Sequence, residues 1–188
     1  MEVIIKMKTD GSLKKFYQYA FPMQAVLVTC KDKEKTNIVT VAWHTPISLD
    51  PPLYGISLSS KRYSFELIRR SKEFAVNFAP FEILEIVHYC GTHSGRSVDK
   101  VKETRLTLIP AKRIKTPLLK ECYAHLECKL KDTIELGDHF FVVGEVVSTV
   151  INRECFKEHI LKIEDIKPVY YLGGNMYTTI DDGIRRKF

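Results

Sequence analysis

The feature that most constrains this chain is the strand periodicity of its second half. From Cys122 to Asp132 apolar and polar residues alternate, so that Cys122, Ala124, Leu126, Cys128 and Leu130 point one way. Residues 139–151 form a second long apolar run with Gly144 inside it. A glycine in mid-strand marks a bulge or a close approach by another backbone. Long strands need partners at both edges, and the rest of the chain supplies candidates.

Residues 25–30 (AVLVTC) and 37–43 (NIVTVAW) read as two strands joined by the charged turn Lys31–Thr36, a hairpin. Residues 53–59 (LYGISLS) read as a third strand, 73–79 as a fourth and 168–172 as a short last one. Pro46, Pro51 and Pro52 mark the stretch between the second and third as an extended connection. Helices are expected at residues 12–20 with Ser12 as N-cap, from Ser64 onward with Ser64 as a cap that lacks a capping-box partner at Leu67, at 81–90 with Gly91 as the stop, and for a turn or two within 97–104. Gly173-Gly174 reads as a turn, and the tail 180–188 is polar and expected to be mobile. A β-meander interrupted by short helices satisfies its strand edges by curling into a small barrel with helices at its mouth.

The 188 residues, 45% hydrophobic, suit one domain with a sizeable core. No stretch approaches the roughly 20 apolar residues of a membrane-spanning helix, and Lys6 and Lys8 are followed by no apolar run of a secretory signal. Five cysteines, an odd number without CxxC spacing, argue for free thiols in a reducing compartment, hence a cytoplasmic protein. The net charge of +6 is compatible with nucleic acid or with an anionic small ligand, but the lysines and arginines are spread along the chain and mixed with acids.

Several chemistries lack their motifs. No GxGxxG follows a strand, and GxxxxGK[ST], GxSxG and HExxH are absent. His88, Cys90 and His93 are ligand-capable types close together, but a metal site needs a further ligand, and a helix end with incidental polar residues is the plainer reading. Asn77 reads as a hydrogen-bonded structural group.

Three polar signatures remain. They are Asn37 to Trp43, Ser59-Ser60-Lys61-Arg62-Tyr63-Ser64, and Ser94-Gly95-Arg96-Ser97-Val98-Asp99-Lys100. Hydroxyls with guanidinium and ammonium groups suit a phosphate monoester. A lone tryptophan at a strand end suits a flat ring. Each residue also has a plain reading: Lys61-Arg62 as a solvated turn, Trp43 as core, Arg96 and Lys100 as flanks of a loop or helix start, Asp99 as a structural partner of a basic group, and His139 as a surface turn histidine.

In order, the runs FPMQAVLVTC, NIVTVAWHTPISLDPPLYGISLSSKRYSFELIRRSKEFAVNFAP, CGTHSGRSVDK, LECKL, LGDHFFVVGEVV and PVYYLGG closely resemble the flavin reductase-like family of FMN-binding split barrels, within it the flavoredoxin-like branch, over nearly all of residues 20–174. The resemblance implies a mainly β, six-stranded split barrel with Greek-key character, a homodimer, and tightly bound FMN near the dimer interface. It implies that Thr40, Val41, Ala42 and Trp43 line the isoalloxazine ring, that Ser57, Leu58 and Ser59 follow the ribityl chain, and that Lys61, Arg62, Tyr63 and Ser64 reach the phosphate. Ser94, Arg96 and Lys100 lie nearby, and His139 of the Gly137-Asp138-His139 turn faces the nicotinamide of a transient NAD(P)H. The implied activity passes electrons from NAD(P)H or a donor protein through FMN to free flavin, ferric iron or a partner protein. A non-enzymatic FMN electron carrier fits the same residues, and a basic β-barrel binding nucleic acid is the remote third reading.

Overall fold

The computed structural model describes residues 8–181. Its frame is one seven-stranded antiparallel sheet made of β1 (Val26–Asp32), β2 (Lys35–Val41), β3 (His44–Leu49), β4 (Pro52–Ser59), β5 (Glu73–Phe78), β6 (Ala124–Leu136) and β7 (His139–Ile151). The order across the sheet is β2-β1-β5-β6-β7-β4-β3. The two edge strands β2 and β3 are thus consecutive in the chain, with only Ala42 and Trp43 between them. A two-residue corner cannot span a flat sheet of this width, because an extended residue covers about 3.3 Å and neighbouring strands lie about 4.8 Å apart. The sheet therefore curls until its edges meet at that corner, where the Ser57 amide donates to the Trp43 carbonyl at 2.8 Å. The non-sequential neighbours β1–β5 and β7–β4 give the Greek-key crossovers.

The seventh strand is a correction to the six expected. Residues 44–49, read as an extended connection because of Pro46, pair with β4. Proline is tolerated there because β3 is an edge strand, where a missing N–H leaves no ladder partner unsatisfied.

β1 shows why residues 25–30 are apolar without alternation. Val26, Val28 and Cys30 enter the barrel core with Phe65, Phe74 and Val142. Ala25 and Leu27 face the other way, into a second core with Ile38, Val87, Leu119 and Val169. A strand covered on both faces needs apolar residues at every position. Gly144 fulfils the bulge reading of a mid-strand glycine, and the close approach there is by side chains, not by another backbone. The β6–β7 register shifts between Val143 and Gly144, and a Cβ there would lie 2.6 Å from Cζ of Phe74 and 2.8 Å from Cβ of Cys128.

Helix α1 (Tyr63–Ser71) plugs the barrel through Phe65, Leu67 and Ile68. It begins at Tyr63, one residue before the expected start, with Arg62 at the N-cap position. Ser64 lies inside the first turn, buried, and accepts a hydrogen bond from Asn37 Nδ2 at 2.8 Å instead of capping. Helix α2 (Leu84–Thr92) follows a 3-10 turn at Phe81–Ile83 and runs through Gly91, which does not stop it. The end comes where the Thr92 hydroxyl folds back onto the His88 carbonyl at 2.9 Å. Helix α3 (Lys100–Thr104) is capped by Asp99, which accepts from the Lys102 amide at 3.1 Å; its partner is a backbone donor, not the basic side chain expected. The first expected helix is a 3-10 segment, Leu13–Ala20, and Ser12 engages the Tyr19 hydroxyl through its amide without a side-chain cap. At the other end β8 (Tyr170–Gly173) and β9 (Met176–Thr178) form a hairpin that pairs with Met23–Gln24. Most of the tail 180–188, expected to be mobile, lies outside the described residues. Among them no helix is long and apolar enough to cross a membrane.

Candidate functional site

The corner between β2 and β3 opens into two cavities, one of about 380 Å³ and one of about 430 Å³. Val39, Ser59, Arg62 and His139 border both, so the two join at a waist.

The first cavity is walled by residues 39–43 and 57–59 on one side, and by Gly91, Thr92, Tyr171, Asn175 and Tyr177 on the other. Val41 and Leu58 place their side chains in the barrel core, which leaves their backbone at the cavity, as strand alternation requires. Trp43 is half-buried. Tyr17 meets its ring edge-on at 5.7 Å, and the His139 ring lies 5.2 Å away. The Thr40 hydroxyl donates to the Val87 carbonyl, tying β2 to α2.

The second cavity is polar. Lys61, Arg62 and Lys100 bring three cations to it, and Ser59, Ser64 and Ser94 bring hydroxyls. It also meets the first turn of α1, whose amides no side chain caps. Such a helix start presents free N–H donors and the positive end of the dipole. Arg62 Nη1 donates to the Gly91 carbonyl at 3.3 Å. Lys100 is buried, and its Nζ donates to the carbonyls of Ile38 at 2.7 Å and Cys90 at 2.6 Å. Both cations thus rest on the last carbonyls of α2, the negative end of that helix. Burial pulls the Lys100 pKa below the usual lysine value, and it pushes the neighbouring thiols of Cys90 and Cys30 up, to about 11 and about 12. These thiols are neutral at physiological pH.

His139 Nδ1 lies 2.8 Å from Asp138 Oδ1. That hydrogen bond, with the charge of His139 behind it, lowers the Asp138 pKa. A carboxylate only accepts, so Nδ1 carries the proton and Nε2 is left for another partner.

Of the fifteen residues singled out in the sequence, fourteen line one or both cavities. Arg96 is the exception. Its guanidinium pairs with Glu66 at 2.8 Å and lies 4.8 Å from the Tyr63 ring centre, so it braces the start of α1 from outside the cavities. Asn37, Gly91, Thr92, Tyr171, Asn175 and Tyr177 were not singled out. Asn37 opens the first signature and Gly91-Thr92 precede the third, so adjacency could have flagged them. The β8–β9 residues carry only the glycine-turn signal of Gly173-Gly174.

The family model of the flavin reductase like domain matches residues 18–179. The chain belongs to the flavin reductase-like family. A protein of Archaeoglobus fulgidus is 36% identical over 141 residues, which cover 75% of this chain and 78% of that one. Among solved structures, an FMN-binding protein from Thermus thermophilus superposes with a TM-score of 0.81 at 28% identity, covering 98% of this chain and all of the other. Flavoredoxin from Methanosarcina acetivorans superposes at 0.80 and 26% identity, covering 97% and 94%. The split-barrel fold is thus that of the family.

In this flavin reductase-like chain the His88, Cys90 and His93 run is dispersed. His88 faces the Tyr177 hydroxyl, Cys90 is buried under Lys100, and His93 stacks on Tyr89 at 3.9 Å. Among the described residues no group of three or more His, Cys, Asp or Glu side chains is gathered for a metal. Asn77 is the structural hub expected: it donates to the Leu27 carbonyl and accepts from the Leu119 amide and His125. All five cysteines are free and buried.

Proposed function

We propose that the protein is an FMN-binding oxidoreductase, with the isoalloxazine ring in the first cavity and the phosphate in the second. The observation that carries this reading is the join between them: an aromatic-walled cavity opens through a shared waist into one that gathers three cations, three hydroxyls and a helix start. That is the chemical profile of a flat ring linked by a polar chain to a phosphate dianion. The likeness to a protein described as FMN-binding and to a flavoredoxin supports it.

When bound, FMN supplies the hydride or single-electron chemistry. The chain's own residues do the rest. The backbone of Thr40, Val41 and Ala42 and the Trp43 side chain orient the ring and keep water from one side of it. Ser57, Leu58 and Ser59 lead from there to the waist. Lys61, Arg62, Ser64, Ser94 and the first amides of α1 neutralise the phosphate. His139, held by Asp138 beside Trp43, presents Nε2 where a nicotinamide would approach. NAD(P)H or a donor protein is the electron source in this reading, and free flavin, ferric iron or a partner protein the acceptor. A second copy of the chain would cover Leu49 at the edge strand and Phe16 beside Tyr17, which are 94% and 66% exposed. The free thiols fit a reducing compartment such as the cytoplasm.

The test is the absorbance spectrum of the purified protein and the mass of its released chromophore. Bands near about 375 and 450 nm with the mass of FMN support the reading; a colourless protein that also fails to take up added FMN overturns it. Titration with NADH and NADPH then separates a reductase from a carrier, since a carrier oxidises neither.

A further inference from the structure

A third cavity, of about 480 Å³, shares no lining residue with the two described above. Arg69, Arg70 and Lys72 reach it from the end of α1, and Arg96 reaches it from the loop before α3. Phe65 and Phe140, whose rings stack at 4.5 Å, line its apolar side. The cations are held in place. Glu66 Oε1 accepts from Arg70 Nη2 at 2.6 Å, and Glu66 Oε2 accepts from Arg96 Nη2 at 2.8 Å. One carboxylate thus fixes two guanidiniums, and each keeps further N–H donors of its fork. Arg96 packs on the Tyr63 ring at 4.8 Å and Arg69 on the Phe65 ring at 5.7 Å. Lys72 closes α1 with a left-handed φ of 62°. Its amide donates to the Ile68 carbonyl and its carbonyl accepts from the Leu130 amide, which fixes the stem of its side chain.

The carboxylates at hand do not balance this charge. Glu66 faces the four cations from within the cavity, and Asp32 adds a contact to Arg70 at 3.9 Å. Neither Arg69 nor Lys72 belongs to an ion pair among the described residues. The excess is therefore two positive charges, close to the charge of a phosphate monoester with its sign reversed. A helix C-terminus attracts cations through its dipole, which accounts for Arg69, Arg70 and Lys72. It does not account for Arg96, thirty residues from Glu66 in the chain, nor for the aromatic wall. A concave site with aromatic lining and a few converging polar groups is the profile of a small-ligand site. We propose that the third cavity is a second anion site, which takes a phosphate monoester carried on a flat nucleoside. The held guanidiniums and Lys72 meet the phosphate, and the Arg69 guanidinium with Phe140 meets the ring. The site does not depend on the FMN reading, because the flavin phosphate is proposed to lie in a different cavity.

Two sources carry this chemistry: a free mononucleotide, and the 2′-phosphoadenosine end of NADPH. The third cavity lies close to the first two along the chain. Ser60, on its wall, follows Ser59, and Phe140 follows His139, while Ser59 and His139 border both of the other cavities. Ser59 ends β4 and His139 begins β7, so these junctions sit at the strand ends, where a ligand can pass from one side of the barrel wall to the other.

The experiment titrates the full chain, saturated with FMN, by calorimetry with 5′-AMP, adenosine, inorganic phosphate, NADP+ and NAD+. The same series is run on the double variant Arg69→Gln/Lys72→Gly. Glycine is the favoured residue at a left-handed helix end, so this variant keeps its fold, and its melting temperature checks that. The wild type is expected to bind 5′-AMP at least about tenfold more tightly than adenosine or inorganic phosphate, and the double variant to lose about tenfold or more of that affinity. FMN affinity should change by less than about twofold, since neither residue touches the other cavities. NADP+ bound more tightly than NAD+ by the wild type, and equally by the variant, makes the dinucleotide the source. Equal binding of the two by the wild type, with the 5′-AMP result intact, makes the source a free mononucleotide. No 5′-AMP binding, 5′-AMP bound no more tightly than inorganic phosphate, or an affinity unchanged in the variant would each overturn the proposal. If the variant does not fold, the wild-type ranking of the ligands decides. If the chain takes up no FMN, the flavin reading fails by itself, and the loss of 5′-AMP binding in the variant still decides this site.

Discussion

Gly95→Ala should damage both stability and ligand binding, although it adds a single methyl group to a loop. Gly95 is buried between α2 and α3 and walls the second cavity. A Cβ there would lie 2.0 Å from Oδ1 and 2.6 Å from Cγ of Asn37. Ordinary contact needs well over 3 Å, so one side must move by more than 1 Å. Asn37 has little room, being 3% exposed and bonded through Nδ2 to Ser64 Oγ at 2.8 Å. Overpacking of this kind costs about 1–3 kcal/mol, and breaking a buried hydrogen bond about 1–3 more. Partial movement of the loop makes the sum smaller, so about 2–4 kcal/mol is expected. For a chain of this size that is a fall in melting temperature of about 4–16 °C. Urea unfolding measures it, with the slope unchanged if only stability is altered. FMN affinity should fall as well, because the displaced Asn37 and Ser64 line the second cavity, where the phosphate is proposed to lie. The double variant Asn37→Ala/Gly95→Ala removes the clashing atoms and should be less destabilised than the two single changes predict. A Gly95→Ala protein within about 0.5 kcal/mol of the parent, or single effects that simply add, would refute the steric argument.

Other substitutions probe different parts of the same reasoning. Replacing both Lys61 and Arg62 by Ala should sharply weaken FMN and leave riboflavin much less affected; unchanged FMN affinity would remove them from the phosphate end. Glu127 is fully buried and accepts the amides of Lys112 and Arg113 at 2.6–3.1 Å, so Glu127→Gln, which turns an NH2 toward those donors, should cost about 1–3 kcal/mol in urea unfolding. Desolvation lowers the His125 pKa to about 4, so the folded state resists its protonation. Stability should fall as pH drops below about 6.5, by up to about 3 kcal/mol near pH 4, with no contribution at neutral pH. A His125→Asn variant should lose that slope between pH 6.5 and 4, and an unchanged slope would assign the effect to other groups.

Much of the fold was legible because periodicity is local. The alternation from Cys122 and the apolar run from His139 became the two long central strands, and Gly144 marked the bulge between them. The errors have equally local causes. Pro46 signals a break when its surroundings are unknown, yet an edge strand has no partner for the missing donor. Gly91 reads as a helix stop unless one knows that Thr92 continues the helix and closes it with its own hydroxyl. Ser64 reads as a cap unless Asn37, twenty-seven residues earlier, is known to claim the hydroxyl.

The candidate site divides along the same line. By itself the sequence determined which residue types are available: the hydroxyl and cation clusters at 59–64 and 94–100, the tryptophan at 43 and the histidine at 139. These are consecutive residues, and their chemistry does not depend on what packs against them. Tertiary structure alone decided that β2 and β3 occupy opposite edges and meet at Ala42-Trp43. It also put Tyr171 and Tyr177 on the far wall, turned Arg96 outward onto Glu66, and set Lys100 on the end carbonyls of α2. Those outcomes follow from strand order and helix ends, which depend on contacts between residues distant in the chain, and no local pattern encodes the net charge of a cavity that several separate segments enclose.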